Sequence, residues 1–392
     1  MSMNETPSSE RIQIGFFGRR NAGKSSIINR LTGQNVSLVS DVPGTTADPV
    51  RKAMEIHGLG PCVIIDTAGL DDEGKLGRLR VEKTLDAMRS IDLAVIVTGD
   101  GEITEYEKEL MSVFLKKKIP YIICYNKDDI FHFSFLPEDV AVVSALENRG
   151  FDHLIELIRK KASEKLKTRG LLDDIVSEND LLVLVIPMDA EAPKGRIILP
   201  QQMVMHEILL KHAKALICQP EELPDIIRMN KDISLVITDS QAFYRIMDIV
   251  PENIPFTSFS ILMARYRGTL EGEVKNAAVI DNLNDGDKVL IAEGCTHRRT
   301  CGDIGSEKIP RLLRRYTGRA IEIDISSGNE FPENLKEYSL IIHCGACVLN
   351  DREMKYRMEK AMVASVPMTN YGVAVSFMRG ILKRSIRMFQ EF

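Results

Sequence analysis

Two groups of residues have the types and spacing that chemistry requires, and the first lies near the N-terminus. GRRNAGKS, residues 18–25, completes the pattern G-x-x-x-x-G-K-S between an apolar run and a helix-like segment. In such a loop, backbone N–H groups surround the β-phosphate, the lysine reaches the β- and γ-phosphates, and the serine hydroxyl binds Mg²⁺. The pattern predicts that a nucleotide binds to Gly18, Asn21, Ala22, Gly23, Lys24, Ser25 and Ser26.

Three later loops specify the nucleotide. DTAG, residues 66–69, supplies Asp66 for Mg²⁺ and the Gly69 N–H for the γ-phosphate. NKDD, residues 126–129, has the form N-K-x-D, in which the Asp129 carboxylate accepts hydrogen bonds from guanine N1–H and the 2-amino group. Adenine lacks this pair of donors, so the loop favours GTP over ATP. The remaining base contacts are predicted at Asn126, Lys127, Ser144 and Ala145, and the residues predicted to act in hydrolysis are Lys24, Asp66 and Gly69.

The second group consists of thiols and imidazoles near the C-terminus. Cys295-Thr-His297 follows the apolar run KVLIAEG. His343-Cys344-Gly-Ala-Cys347 begins within a second apolar run, LIIHCG, at its C-terminal end. If these runs are neighbouring parallel strands, both motifs emerge at the same edge of a sheet. The spacing alone leaves zinc, an iron–sulfur cluster and a redox dithiol as alternatives.

The elements that position these residues follow a regular order. Continuous apolar runs alternate with helix-like segments along the chain, which predicts parallel sheets covered on both faces. We therefore expect an α/β fold: a P-loop GTPase domain of the Ras-like, doubly wound, mostly parallel type, followed by two smaller α/β domains. The predicted boundaries are 1–168, 169–260 and 261–392. Within the middle domain, QMVMHEILLKHAKALICQ, residues 202–219, predicts one long helix that ends near Cys218.

Composition restricts the class of protein. The 392 residues are 44% hydrophobic and 27% charged, which is typical of a globular protein. The formal net charge of −5 argues against a nucleic-acid partner, since such proteins usually have a basic surface. No run of 18 apolar residues predicts a membrane span, and the start MSMNETPSSER has neither the basic nor the apolar part of a signal peptide. We expect a cytoplasmic protein without a membrane partner or structural disulfides.

The GTPase segment, about residues 11–167, resembles the GTPases of the Era and TrmE type. PGTTADP is similar to switch I of that group, which implies that Thr45 or Thr46 binds Mg²⁺ in the GTP state. Leu70 follows DTAG, where Ras-like proteins carry a catalytic glutamine. The TrmE-like group also lacks this glutamine, and there a K⁺ ion supplies part of the missing charge in the site. An asparagine that matches Asn21 holds the ion, so the resemblance implies a K⁺ site.

The whole chain resembles the HydF family, the GTPases that mature FeFe-hydrogenase, because this GTPase segment is joined to CxH, a gap of about 45 residues and HCxxC. The resemblance implies that Cys295, Cys344 and Cys347 hold a 4Fe–4S cluster whose fourth iron ligand is weak and exchangeable. Candidates for that ligand are His297, His343, Cys301 and Asp303.

The resemblance also implies a function and partners. They are those of a homodimeric scaffold that receives the diiron precursor from radical-SAM maturases and delivers it to apo FeFe-hydrogenase. The alternative interpretation is a zinc-stabilised regulatory GTPase, or one of the Era or TrmE kind that associates with RNA or the ribosome.

Overall fold

The computed structural model describes eleven stretches of the chain and groups them in two compact units, Met1–Lys167 and Thr168–Phe392. The described residues are 11–33, 50–67, 88–133, 137, 139–163, 170–188, 197–294, 303–328, 330–346, 349–390 and 392. Eight of the residues named in the sequence analysis lie outside them: Thr45, Thr46, Gly69, Leu70, Cys295, His297, Cys301 and Cys347. Among the described residues, no helix is both long and apolar enough to cross a membrane.

The first unit is built on a six-stranded sheet with the order β2-β3-β1-β4-β5-β6. Its strands are β1 (Ile12–Phe17), β2 (Val50–Ile56), β3 (Gly60–Asp66), β4 (Leu93–Thr98), β5 (Tyr121–Tyr125) and β6 (Val140–Val142). Strand β2 pairs antiparallel with β3, and the other pairs are parallel. The predicted mostly parallel sheet is therefore confirmed.

Helices cover both faces of this sheet: α1 (Lys24–Thr32), α2 (Glu105–Lys116), α3 (Asp128–Phe131) and α4 (Phe151–Ser163). Successive side chains of a strand point to opposite faces. Accordingly, Phe16 packs in the cluster that contains Leu154 of α4, and Phe17 packs in the cluster that contains Phe114 of α2. Because both faces are buried, the loops at the carboxyl ends of the strands extend from a rigid base.

The second unit begins with a four-stranded parallel sheet of order β10-β9-β7-β8. Its strands are β7 (Leu181–Val185), β8 (Lys214–Cys218), β9 (Ile233–Thr238) and β10 (Phe256–Ser258). Its helices are α5 (Leu199–Leu210), α6 (Leu223–Met229), α7 (Phe243–Ile246) and α8 (Phe259–Tyr266), with a 3₁₀ turn at Ser240–Ala242.

The long helix predicted over residues 202–219 is wrong. Helix α5 ends at Leu210, and the segment that follows turns back as strand β8, which pairs in parallel with β7. His212 has φ 53°, in the left-handed region that an α-helix does not use, so the chain leaves the helix there. Cys218 therefore ends a strand, not a helix, and it is buried.

A second parallel sheet follows, with the order β12-β11-β13-β14. Its strands are β11 (Lys288–Ala292), β12 (Glu322–Ser326), β13 (Leu340–His343) and β14 (Met368–Asn370). Around it lie α9 (Leu270–Ala277), α10 (Ile309–Thr317), α11 (Asp351–Val363), α12 (Tyr371–Met378) and α13 (Leu382–Ile386). A 3₁₀ turn at Ala278–Asn282 and a π-helical turn at Ile304–Lys308 complete the described elements.

The two sheets of the second unit share one hydrophobic core. A single cluster joins Ile237 of β9 and Phe256 of β10 to Val289 of β11 and Ile342 of β13. The C-terminal helix α13 returns to the first of these sheets, where Arg384 lies over the Phe256 ring, 4.9 Å from its centroid. The predicted boundary at residue 260 falls inside α8, and the division into three domains stays a prediction.

Candidate functional site

The phosphate-binding loop connects β1 to α1 and depends on its glycines. Gly18 has φ 145°, and a Cβ there would lie 2.1 Å from the Val97 carbonyl oxygen. Gly23 has φ 92°, and a Cβ there would lie 2.0 Å from Asn126 Nδ2. Lys24 Nζ donates to the carbonyl oxygens of Gly18, at 2.7 Å, and Arg19, at 2.8 Å. The loop therefore holds the ammonium group against its own backbone, in the place where the sequence predicts phosphate.

The predicted Mg²⁺ ligands of the loop and of β3 meet directly. The Ser25 hydroxyl donates to Asp66 Oδ2 at 2.6 Å, which brings together two oxygen ligands of the kind that Mg²⁺ binds. Burial raises the pKa of Asp66, while the Ser25 hydrogen bond and the charges of Lys24 and Lys52 oppose that rise. A divalent cation would favour the charged carboxylate further.

Asn126 joins the phosphate loop to the two predicted guanine loops. Its Nδ2 donates to the Ala22 carbonyl oxygen at 3.0 Å, and its Oδ1 accepts from the Ala145 N–H at 3.2 Å. The Ser144 hydroxyl donates to Asp129 Oδ1 at 2.5 Å. Three separate loops are thus fixed to one another through hydrogen bonds, as a shared nucleotide site requires.

Two of the remaining predicted residues have backbone conformations that shape these loops. Asn21 and Lys127 have φ 61° and 62°, both in the left-handed region. Asn21 is exposed in the phosphate loop, and Ser26 is exposed in the first turn of α1. The Asn21 side chain is therefore accessible to a solvent cation.

Sequence reasoning missed Arg19, which anchors the phosphate loop to α2. Its Nε donates to Glu107 Oε1 at 3.0 Å, and its Nη2 donates to Asp100 Oδ1 at 2.7 Å. Glu107 is fully buried and also accepts from the Thr104 N–H, in the capping box that starts α2. Arg19 occupies a variable position of the loop pattern, so the spacing gave no signal for it.

In the second unit, the strands that precede the two cysteine motifs are parallel neighbours. Strands β11 and β13 pair in parallel, with Ala292 opposite His343, so the predicted neighbourhood of the two runs is confirmed. Cys344 Sγ accepts hydrogen bonds from the N–H groups of Gly294, at 3.1 Å, and Ala346, at 3.3 Å. These two donors directly precede Cys295 and Cys347 in the sequence.

Opposing effects act on the Cys344 thiol. Burial and, more weakly, the charge of Glu293 raise its pKa, while the two N–H donors and the charge of Arg267 stabilise the thiolate and oppose that rise. In the described residues, which exclude the three other cysteines of this region, no group of three metal-ligating side chains is assembled.

His343 supports Cys344 through a buried network. Its Nε2 faces Arg357 Nη1 at 3.0 Å, and its Nδ1 faces the Cys344 carbonyl oxygen at 2.8 Å. Arginine only donates, so Nε2 accepts and the Nδ1–H donates. Burial, with the charge of Arg357 next, lowers the pKa of His343 to about 3 and keeps the ring neutral. Both ring nitrogens are thus used within the protein, so this arrangement leaves His343 no nitrogen for iron.

Asp303 is buried, and its charge acts on Tyr371 together with those of Glu293 and Cys344. Its Oδ2 accepts from the Ser306 N–H at 2.7 Å and from the Ser306 hydroxyl at 2.8 Å, which caps the π-helical turn. Nearby, the Tyr371 hydroxyl donates to Glu293 Oε1 at 3.3 Å, and burial raises the pKa of Tyr371 well above its usual value. Sequence reasoning missed Glu293, although an acidic residue between an apolar run and CTH was a signal for it.

Three protein-family models match most of the chain. The model for a 50S ribosome-binding GTPase matches residues 13–127. The models for the hydrogen maturase F dimerization domain and tetramerization domain match residues 171–268 and 271–388. The two maturase models together match more than half of the chain, in this order after a GTPase domain. The chain belongs to the hydrogen maturase F family. The predicted GTPase domain and the resemblance to the HydF family are confirmed.

Other GTPases are similar to part of the chain. The tRNA modification GTPase MnmE of Streptococcus sanguinis is 33% identical over 156 residues, which are 38% of this chain and 34% of MnmE. GTPase Der of Kosmotoga olearia is 29% identical over 252 residues, 57% of this chain and 56% of Der. A solved structure of Aquifex aeolicus Era bound to GDP.AlF4- is 18% identical, with a TM-score of 0.33, over 56% of this chain and 98% of Era. The chain therefore spans about a third of the length of MnmE and about half of that of Der.

Proposed function

We propose that this member of the hydrogen maturase F family is a GTP-hydrolysing scaffold that carries a 4Fe–4S cluster on Cys295, Cys344 and Cys347. It accepts the diiron precursor from the radical-SAM maturases and delivers it to apo FeFe-hydrogenase in the cytoplasm. The observation that carries the proposal is the Cys344 sulfur, which two backbone N–H groups hold at the meeting point of β11 and β13. The residues that donate these bonds are the sequence neighbours of the two other proposed ligands.

The residues at this place fit an iron–sulfur cluster. Thiolates are the usual protein ligands of such clusters, and N–H donors to the sulfur tune them. The cluster supplies an iron whose fourth position exchanges ligands. Because His343 is bonded through both nitrogens, we assign it a supporting role and keep His297, Cys301 and Asp303 as candidates for the fourth ligand.

Cysteine substitutions test the cluster. Changing Cys295, Cys344 or Cys347 to Ser is expected to remove most of the iron and sulfide found after anaerobic reconstitution, because each change removes a thiolate. Cys218→Ser is the matched control, since Cys218 is a buried thiol at the end of strand β8 in the same unit. A brown wild-type protein separates the cluster from the zinc alternative, which is colourless. A triple Cys→Ser variant that still matures the hydrogenase contradicts the proposal.

The GTPase domain acts as a switch on partner encounters in this proposal. Asp129→Asn is expected to weaken GTP binding by about 10–100-fold, because a charged acceptor to the base is lost. The same variant should bind xanthosine triphosphate better, since that base offers the complementary group. Lys24→Ala should abolish turnover, and equal hydrolysis of ATP and GTP by the wild type would contradict the assignment. Titration calorimetry and phosphate release measure these effects.

The match to the 50S ribosome-binding GTPase model supports a second candidate, an RNA- or ribosome-associated GTPase. That match ends at residue 127 and leaves the cysteine region unexplained. Wild-type protein that bound ribosomal RNA tightly and held no iron after reconstitution would favour this candidate over the scaffold.

A further inference from the structure

One arginine from the region matched by the dimerization model contacts the cysteine loop. Arg267 follows α8 directly, and its side chain is only 8% exposed. Its Nη1 donates to the Gly345 carbonyl oxygen at 2.8 Å, and its Nη2 donates to the carbonyl oxygens of Ala346, at 2.8 Å, and Leu349, at 3.2 Å. Its Nε donates to Asp351 Oδ1 at 3.3 Å. The guanidinium thus spans the described residues on both sides of Cys347.

The first of these bonds controls the environment of the Cys344 sulfur. The Gly345 C=O and the Ala346 N–H belong to one planar trans peptide group and point in opposite directions. The C=O is held by Arg267, and the N–H donates to Cys344 Sγ. The guanidinium therefore fixes the orientation of the donor that faces the sulfur.

The loop needs such support because its conformation is unfavourable. Ala346 has φ 52°, in the left-handed region, where the Cβ of an ordinary residue crowds the following carbonyl oxygen. A charged donor bound to three carbonyl oxygens offsets that cost, since hydrogen bonds to charged groups are the stronger ones.

We propose that Arg267 is a positioning residue for the cluster site, through which the dimerization domain holds the Cys344 loop in its ligand-binding shape. The proposal rests on the proposed function. Arg267 lies within residues 171–268, and its partners lie within residues 271–388, so the two matched regions build this loop together. An isolated domain of either kind lacks half of the arrangement.

Two substitutions at Arg267 test the role against a matched control. Arg267→Lys keeps the charge and loses the forked contact, and Arg267→Met loses both. Arg265→Lys is the control, because Arg265 is a buried arginine two residues earlier, in α8, but donates to the carbonyl oxygens of Leu171, at 3.5 Å, and Asp173, at 2.9 Å. All variants are full-length, and gel filtration checks their oligomeric state.

The first measurement is the rate at which a chelator removes iron from the reconstituted proteins. Arg267→Lys is expected to lose iron about 10-fold faster than the wild type, the usual scale for a residue that orients a metal ligand. Arg267→Met should lose it faster still, and the paramagnetic resonance spectrum of the reduced cluster should change in both. Arg265→Lys should resemble the wild type. Equal rates in all four proteins would overturn the proposal.

The second measurement uses apoprotein and does not depend on the cluster. Amide hydrogen exchange in the segment 344–350 is expected to be about 10-fold faster in Arg267→Lys, because a hydrogen-bond contribution of about 1.4 kcal/mol is lost from the closed loop. Arg265→Lys should leave exchange in that segment unchanged. If wild-type protein holds no iron, the proposed function fails, but the exchange rates still decide whether Arg267 holds the loop. Unchanged exchange in both Arg267 variants contradicts the role.

Discussion

At the scale of single residues, Arg357 shows how hydrogen bonds hold a buried charged side chain in place. In the cysteine region, Arg357 is fully buried and donates to His343, to Glu353 Oε1 at 3.0 Å and to the Gly328 carbonyl oxygen at 2.6 Å. The buried charge is therefore matched by three acceptors, one of them a carboxylate. Removing one acceptor leaves a buried donor unsatisfied, which costs about 1–3 kcal/mol.

The role of His343 gives a prediction at this scale. His343→Ala should lower the stability of the protein by about 1–3 kcal/mol, because Arg357 loses an acceptor. His343→Gln should lose less, since its amide oxygen can accept from Arg357. Thermal unfolding measures both, and iron analysis should show that His343→Gln retains most of the cluster. Loss of iron as complete as in Cys344→Ser would instead identify His343 as a ligand.

A second prediction at this scale concerns Asn21, which is exposed in the phosphate loop. The GTPase rate should rise when K⁺ replaces Na⁺ at equal ionic strength. A bound cation would stabilise the negative charge that develops in the transition state, as a catalytic glutamine or arginine does in other GTPases. Asn21→Ala should abolish the difference between the two salts, whereas Ser26→Ala, next to the loop, should retain it. Identical wild-type rates in K⁺ and Na⁺ would exclude the cation site.

At the scale of helices and strands, the sequence predicts the buried parallel strands, because they are continuously apolar. Runs such as β4 and β11 are buried on both faces, so their composition identifies them as parallel strands. Strand β8 escaped prediction because it is a half-exposed edge strand that follows a helix after only a left-handed turn at His212.

The support of the sites was also beyond the sequence. Arg267 and Arg357 carry no spacing signal, because their partners are carbonyl oxygens and side chains brought near only by folding. The motif residues could be proposed from the sequence because phosphate and metal ligands recur at fixed intervals, and their roles stay predictions. The sequence does not show which of these residues already use their polar atoms within the protein, as both ring nitrogens of His343 do.

The contact between α9 and β14 gives a pH prediction. Burial raises the pKa of Glu273 to about 7, while hydrogen bonds from Thr269 and Asn370 and the charge of Arg267 oppose the rise. The pKa of Glu273 is higher in the folded state than in the unfolded state. The contribution of Glu273 to stability is therefore complete below about pH 4.5 and is lost as the pH rises through about 7.

Glu273→Gln removes this titration. The variant should match the wild type near pH 5 and exceed it in stability at pH 8.5, by on the order of 1–3 kcal/mol. The amide fits, since the Thr269 hydroxyl also donates to the Ala264 carbonyl oxygen and can accept from glutamine. Urea unfolding followed by circular dichroism measures the difference. His343 titrates in both proteins and cancels, so equal stability at pH 8.5 would refute the pKa assignment.

The edge strand β8 gives a prediction about assembly. Ile217 on β8 is 53% exposed, and exposed Leu209, Leu210 and Met229 lie on the neighbouring helices α5 and α6. An exposed edge with apolar neighbours pairs readily with another copy. Ile217→Lys should weaken the predicted homodimer at least about tenfold in Kd, the effect of 1.4 kcal/mol. Light scattering measures the mass, with Leu115→Lys in the first unit as control. An unchanged dimer would place the interface elsewhere.

At the scale of the whole molecule, the second unit is held together by contacts that ignore sequence order. Helix α13, near the C-terminus, returns to β10, where Arg384 donates to the carbonyl oxygens of Met247 at 3.0 Å, Val250 at 2.6 Å and Pro251 at 2.8 Å. The two sheets of this unit therefore bury one another's residues.

A truncation tests this arrangement. Residues 168–392 alone should unfold in a single cooperative transition, because both sheets contribute to one core. Residues 269–392 alone should lack such a transition, since they would expose the side of that core that β9 and β10 now cover. Calorimetry distinguishes the two. A sharp transition in the shorter fragment would show that its sheet folds independently.

The shared core has a consequence for genetic screens. Under the proposed function, a search for variants that fail to mature the hydrogenase will collect substitutions at Ile237 or Phe256, far in the sequence from the three proposed cluster ligands, alongside changes to those cysteines themselves. Such variants would be read as defects in subunit association when their primary lesion is a loosened core, against which Cys344 packs. Suppressors should then arise in the opposite sheet, at positions such as Val289, where a larger side chain refills the space.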